Sequence, residues 1–167
     1  MPQTLALFPD FPGSSKDKKA MEELTYEKSI GLMITYTGET KIPDTGGIQW
    51  EKGDIAFAGC NYKKGISKEK LLTIHASGDW SDAHWEKADD TLQNALLEKI
   101  DWLLDGAEIQ DVQVKKWRYA KPNVLFPERS ISWNSPIPVA FAGDIFKEGK
   151  VEGAILSGKH AAEHLSL

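Results

Sequence analysis

Between Leu71 and Ser77 the side chains alternate, with Leu72, Ile74 and Ala76 on one side and Thr73, His75 and Ser77 on the other. A period of two marks a strand with one buried face. A second strand is predicted from Lys28 to Thr37, where Ile30, Ile34, Thr35, Tyr36 and Thr37 suit a pleated surface. Gly38 and the Pro43 to Gly47 stretch turn the chain. Short strands at 48–50 and 55–59 and a polar loop at 61–70 follow. Val112 to Tyr119 reads as another strand, in which Val112, Val114 and Lys116 alternate against Gln113, Lys115 and Trp117. A loop containing Pro and Asn spans 120–136, and a short apolar strand covers 138–142.

The period lengthens after Ser81. Trp85, Ala88, Leu92, Ala95, Leu96, Lys99 and Leu103 follow helical spacing. Ser81 suits the N-cap, and Trp80 and Trp85 flank it as a hydrophobic staple. Gly106 suits the C′ position, so one long helix is predicted over about 82–104. Shorter helical turns are expected at 2–8, stopped by Pro9 and Pro12-Gly13, and around Asp17 to Leu24. A C-terminal helix is expected at about 151–165. The fold class is therefore α+β, with a mixed or antiparallel sheet.

Composition narrows the function. The 167 residues amount to about one domain, and 41% hydrophobic with 27% charged residues is a globular balance. Twenty Lys and Arg against 25 Asp and Glu give a charge of −5, a poor match to a phosphate backbone. The lone Cys60 excludes an internal disulfide and a Cys-cluster zinc site, and its place after an apolar run predicts burial. No apolar run reaches the roughly 20 residues needed to span a bilayer, and the N-terminus lacks a signal-peptide pattern. A cytoplasmic protein that binds neither nucleic acid nor membrane is expected.

His160-Ala161-Ala162-Glu163-His164 matches H-x-x-E-H and puts both histidines on one helical face. Only three residues follow, leaving no downstream third ligand, and histidines in a last helical turn favour the carbonyl end of the dipole. No metal is therefore expected. His75 and His84 flank Asp79 and Asp82, but spacing does not fix their separation, and an edge or solvent-facing role is the simpler reading. No G-x-S-x-G elbow accompanies a Ser-His-Asp set. No catalytic residue is assigned.

The richest stretch runs from 139 to 165. A buried strand leads to Gly143-Asp144, a small loop, and a helix on which Gly153, Ser157 and Ala161, and likewise Ala154, Gly158 and Ala162, recur every four residues. Such stripes serve close packing against an element or approach of a flat ligand. The helix N-terminus offers free N–H groups to a partly negative oxygen, and Asp144 can accept hydrogen bonds from hydroxyls.

This segment resembles the C-terminal signature of flavin-containing amine oxidase-like proteins, and the chain most resembles their renalase-like branch. Pro2 to Leu7 looks like the entry into that family's substrate domain. His75-Ala76-Ser77-Gly78-Asp79-Trp80-Ser81 looks like its strand-to-helix junction, and Lys116-Trp117-Arg118-Tyr119-Ala120 like its returning strand. The resemblance implies that Gly143 and Asp144 meet the FAD ribityl chain, and that Val151, Glu152, Gly153 and Ala154 point backbone N–H groups at the flavin ring. It places Trp117, Arg118 and Tyr119 in or behind a substrate-facing sheet. Residues 1–136 would form a substrate-binding-like domain and 137–167 the strand and helix that contact FAD.

The family's G-x-G-x-x-G fingerprint is absent from the 14 glycines. The implied object is thus the C-terminal half of an FAD-dependent oxidoreductase acting on an amine or a dihydronicotinamide-type substrate. Without the Rossmann half it is expected to be inactive and to hold no FAD alone. A separate dinucleotide-binding half or a homodimer would be its partner. A non-catalytic binding or interaction module that keeps the fold is the alternative.

Overall fold

Leu72 and Ile74 lose all solvent exposure while Thr73 and His75 keep part of theirs, so strand alternation sorts the core from the open face as the sequence predicts. The structure is a computed structural model that describes residues 2–11, 13–135 and 137–165. Pro12, expected to stop the first helix, and Pro136, at the expected loop and domain limit, lie outside the described residues, as do Met1, Ser166 and Leu167.

In chain order the elements are α1 (Pro2–Ala6), α2 (Ser15–Glu22), β1 (Tyr26–Gly38), β2 (Gly47–Gln49), β3 (Ile55–Cys60), β4 (Leu71–Ala76), α3 (Gly78–His84) and α4 (Asp89–Ile100). A 3-10 turn (Asp101–Leu103), β5 (Ala107–Pro122), β6 (Ile131–Trp133), β7 (Val139–Phe141) and α5 (Lys150–His164) complete the chain. The class is α+β. The larger sheet has the order β2-β3-β4-β1-β5, and β2 with β3, β3 with β4 and β4 with β1 run antiparallel. The β6–β7 pair, also antiparallel, forms a separate two-stranded sheet inside and just after the stretch expected to be a loop.

The chain packs as two compact units. One comprises Met1–Glu27 and Lys121–Leu167, the other Lys28–Ala120. In the second unit, Ile30, Leu32 and Ile34 of β1 join Leu72 and Ile74 of β4 against Leu92, Leu96 and Ile100 of α4. The first unit has its own aromatic core, in which Phe126, Phe141 and Phe146 pack with Met21 and Leu24.

The single helix predicted over about 82–104 is instead two helices. Ala88 adopts an extended conformation (φ −64, ψ 150) and ends the run between α3 and α4. Tertiary contacts settle this break. Lys116 Nζ donates to the Lys87 carbonyl at 2.9 Å and pairs with Asp89 at 3.2 Å, holding the interruption against β5. The acidic pair Asp89-Asp90 then opens α4, where carboxylates favour the positive end of the dipole.

The expected N-cap also moves. Ser77 caps α3 by accepting from the Trp80 N–H at 3.3 Å. Ser81 is fully buried inside α3, and its Oγ accepts the Ile30 N–H at 2.9 Å.

Candidate functional site

In the first unit the path from β7 to α5 is conformationally unusual. Gly143 (φ 151) and Gly149 (φ 68) lie where glycine is favoured, but so do Lys147 (φ 25) and Lys150 (φ 57). Non-glycine residues held there cost about 1–3 kcal/mol each, so surrounding contacts must over-determine the loop. Those contacts are visible. The Gly143 N–H donates to the buried Ser157 Oγ at 2.9 Å, and the Phe126 and Lys147 N–H groups bond to Ile145 and Phe126 carbonyls, each at 2.8 Å. Arg129 pairs with Glu148 at 2.7 Å, and its hydrogen bond holds the Glu148 carboxyl below its ordinary range.

This loop sets Asp144 beside the start of α5. Asp144, Lys150, Val151, Ala154 and Ile155 line an open groove of about 500 Å³. Gly149 caps the helix without a side-chain hydrogen bond. Val151 and Ile155 are 77% and 67% exposed, which gives the groove an apolar wall. Glu152, in the same first turn, already places one carboxylate near the dipole. Tyr26 stands close enough to feel Asp144: burial first, and the Asp144 charge second, push its hydroxyl up to about 12. Of the two small-residue stripes, Gly153, Ser157 and Ala161 turn into the unit, whereas Gly158 and Ala162 remain exposed.

In the second unit the three residues of the returning strand separate. Arg118 lies over the Trp85 ring at 5.5 Å, on the helix-bearing face. Trp117, in contrast, meets His75 at 5.4 Å between ring centroids. Alternation gives Tyr119 the same side as Trp117. Phe57, opposite His75 in the β3–β4 register, extends the row with a centroid distance of 5.9 Å. Gly31, opposite His75 in β1, leaves the space into which Trp117 leans. Phe57 and Lys64 were invisible to spacing arguments, because only strand register and a folded-back loop bring them to His75.

The His75 ring is partly buried. Burial lowers its ring pKa below the ordinary 6.5, and the Lys64 charge lowers it further. The unfolded chain therefore takes up a proton there before the folded chain does. This stabilising contribution is complete above about pH 6.5 and is lost as pH falls through the depressed folded value. NMR titration of the His75 ring should show a midpoint below 6.5, rising in Lys64→Met. A midpoint at or above 6.5 would contradict this account.

The other polar candidates have structural partners. His84 stacks on Trp80 at 4.1 Å and bonds the Trp80 carbonyl, and Asp82 pairs with Lys28 at 2.9 Å. His160 meets Ser130 Oγ at 2.7 Å, while His164 meets the His160 carbonyl at 2.8 Å. Among the described residues no group of three His, Cys, Asp or Glu side chains is placed to hold a metal ion. Cys60 is buried with its Sγ 3.2 Å from the Tyr36 hydroxyl, which burial and that contact push up to about 12. No helix among the described residues is long and apolar enough to cross a membrane.

No protein-family model matches the chain, and no curated protein does. Its fold is similar to part of the crystal structure named "Putative protoporphyrinogen oxidase", from Exiguobacterium sp. 255-15, with a TM-score of 0.54 at 17% identity. The match covers 72% of this chain and 28% of that one, so the likeness is one of fold and of a minor part of the larger protein.

Proposed function

We propose that this chain is the C-terminal substrate-domain portion of a renalase-like, FAD-dependent oxidoreductase, oxidising an amine or dihydronicotinamide-type substrate. It would act in the cytoplasm and need a dinucleotide-binding partner half, or a second copy, for activity. The observation that carries this reading is the α5 groove, where Asp144, a helix N-terminus without a side-chain cap and an apolar wall converge on a strained loop. The fold likeness to an oxidase supports it.

Those residues suit the group. Asp144 would accept hydrogen bonds from ribityl hydroxyls beside Gly143. The Val151 to Ala154 backbone would present positive potential to a partly negative ring oxygen. Val151 and Ile155 would exclude water from one edge of a flat ring. Bound FAD supplies the hydride acceptor. In this division of roles residues 1–136 serve substrate binding and 137–167 cofactor contact, with Trp117 and Tyr119 on the substrate side. Arg118 enters this assignment only from behind the sheet.

Co-expression with a short chain carrying a dinucleotide-binding βαβ unit tests the reading. The pair should retain near-stoichiometric flavin absorbance, the chain alone should not, and Asp144→Ala should weaken retention about tenfold. Stoichiometric flavin on the chain alone would refute the need for a partner. A folded pair without flavin is the result expected of a non-catalytic module.

A further inference from the structure

We propose that the open sheet face carrying Phe57, His75 and Trp117 binds a planar aromatic molecule bearing a negative charge. The three rings come from β3, β4 and β5 and lie in one row, at 5.9 and 5.4 Å between centroids. Such a row offers π-faces to a flat ligand. Gly31 keeps the row low: a Cβ there would stand 3.1 Å from the Trp117 ring.

Charge selects the ligand's sign. Lys64 folds back over the Phe57 ring, with Nζ 4.7 Å from its centroid, and reaches over Gly59, where a Cβ would stand 2.7 Å from that nitrogen. Eight other lysines of the described residues (Lys28, Lys41, Lys63, Lys70, Lys99, Lys116, Lys121 and Lys159) each have a carboxylate partner. Among the described residues Lys64, like nine further lysines, has no carboxylate partner, and it lies directly over the aromatic row. A cation laid on an aromatic surface without a counter-ion attracts an anion and repels a protonated amine.

Calling this ligand a substrate rests on the proposed oxidation, for which it favours an anionic planar ring over a cationic amine. Binding itself needs no flavin. The test therefore uses the full chain without cofactor and two probes, 2-naphthoate and 2-naphthylmethylamine, followed by NMR signals of the His75 ring and the Trp117 indole.

Saturable shifts of both signals with 2-naphthoate are expected, with the amine at least about tenfold weaker. Lys64→Met should erase that preference, and Trp117→Ala should abolish binding at an unchanged fold. If Trp117→Ala unfolds, the exposed Lys64→Met variant still decides the matter. Equal affinity for the two probes, no shift at His75 and Trp117, or a preference untouched by Lys64→Met would overturn the proposal. Flavin retained by the pair without naphthoate binding would overturn this inference alone. Naphthoate binding without flavin in the pair would overturn only the oxidation reading.

Discussion

Phe146→Ala is expected to cost about 3–5 kcal/mol and to collapse the groove, and with it the flavin retention proposed for the co-expressed pair. Phe146 is fully buried, and its ring packs edge-on against Phe126 at 5.4 Å. The same two residues form an isolated parallel bridge, and hydrogen bonds from the Phe126 and Lys147 N–H groups lie on either side of it. Truncation would leave a cavity directly beneath the turn that presents Asp144. The turn has little reserve, because Lys147 and Lys150 already hold positive φ. Denaturant unfolding of Phe146→Ala and Phe146→Leu checks this, with the leucine variant recovering much of the loss by refilling the volume. A loss below about 1 kcal/mol for the alanine variant would show that Phe146 does not anchor the loop.

Much of the sheet was legible because its strands bury one face. In β4 every second residue enters the core, and Val112 and Val114 of β5, partly buried, pack against it, so period two carried both elements. The start of α5 was legible for a different reason: after the Gly143-Asp144 turn, Gly153, Ser157 and Ala161 recur at four-residue spacing. The break between α3 and α4 was not legible. Apolar spacing continues straight through Ala88, and the contacts that interrupt the helix come from Lys116, nearly thirty residues away. Likewise Ser81 has the chemistry of a cap, yet its hydroxyl serves Ile30 across the core. The groove residues Asp144 and Val151 lie near one another in sequence, within the stretch whose resemblance singled them out. The Phe57–His75–Trp117 row could not be picked out, since three separate strands and their register assemble it.

Gly38→Ala is expected to cost about 2–4 kcal/mol, the combined effect of left-handed strain and a backbone clash. Gly38 ends β1 at φ 80, and a Cβ built there would lie 2.2 Å from the Gly106 carbonyl oxygen. That oxygen accepts the Glu39 N–H at 3.1 Å, and Gly106 itself turns at φ 93 as the chain enters β5. The Lys41 N–H reaches the Leu103 carbonyl at 2.9 Å, so the end of β1 is stitched to the turn that follows α4. A methyl group cannot fit without parting that seam. Gly65→Ala separates the two causes, because Gly65 also has positive φ, at 71, but no atom stands within 4 Å of its added Cβ. It should lose only about 1–2 kcal/mol, the cost of the left-handed conformation. Urea unfolding of both variants gives the difference directly. Equal losses would mean that the Gly38–Gly106 approach yields readily, and that the seam does not hold β1 to the start of β5.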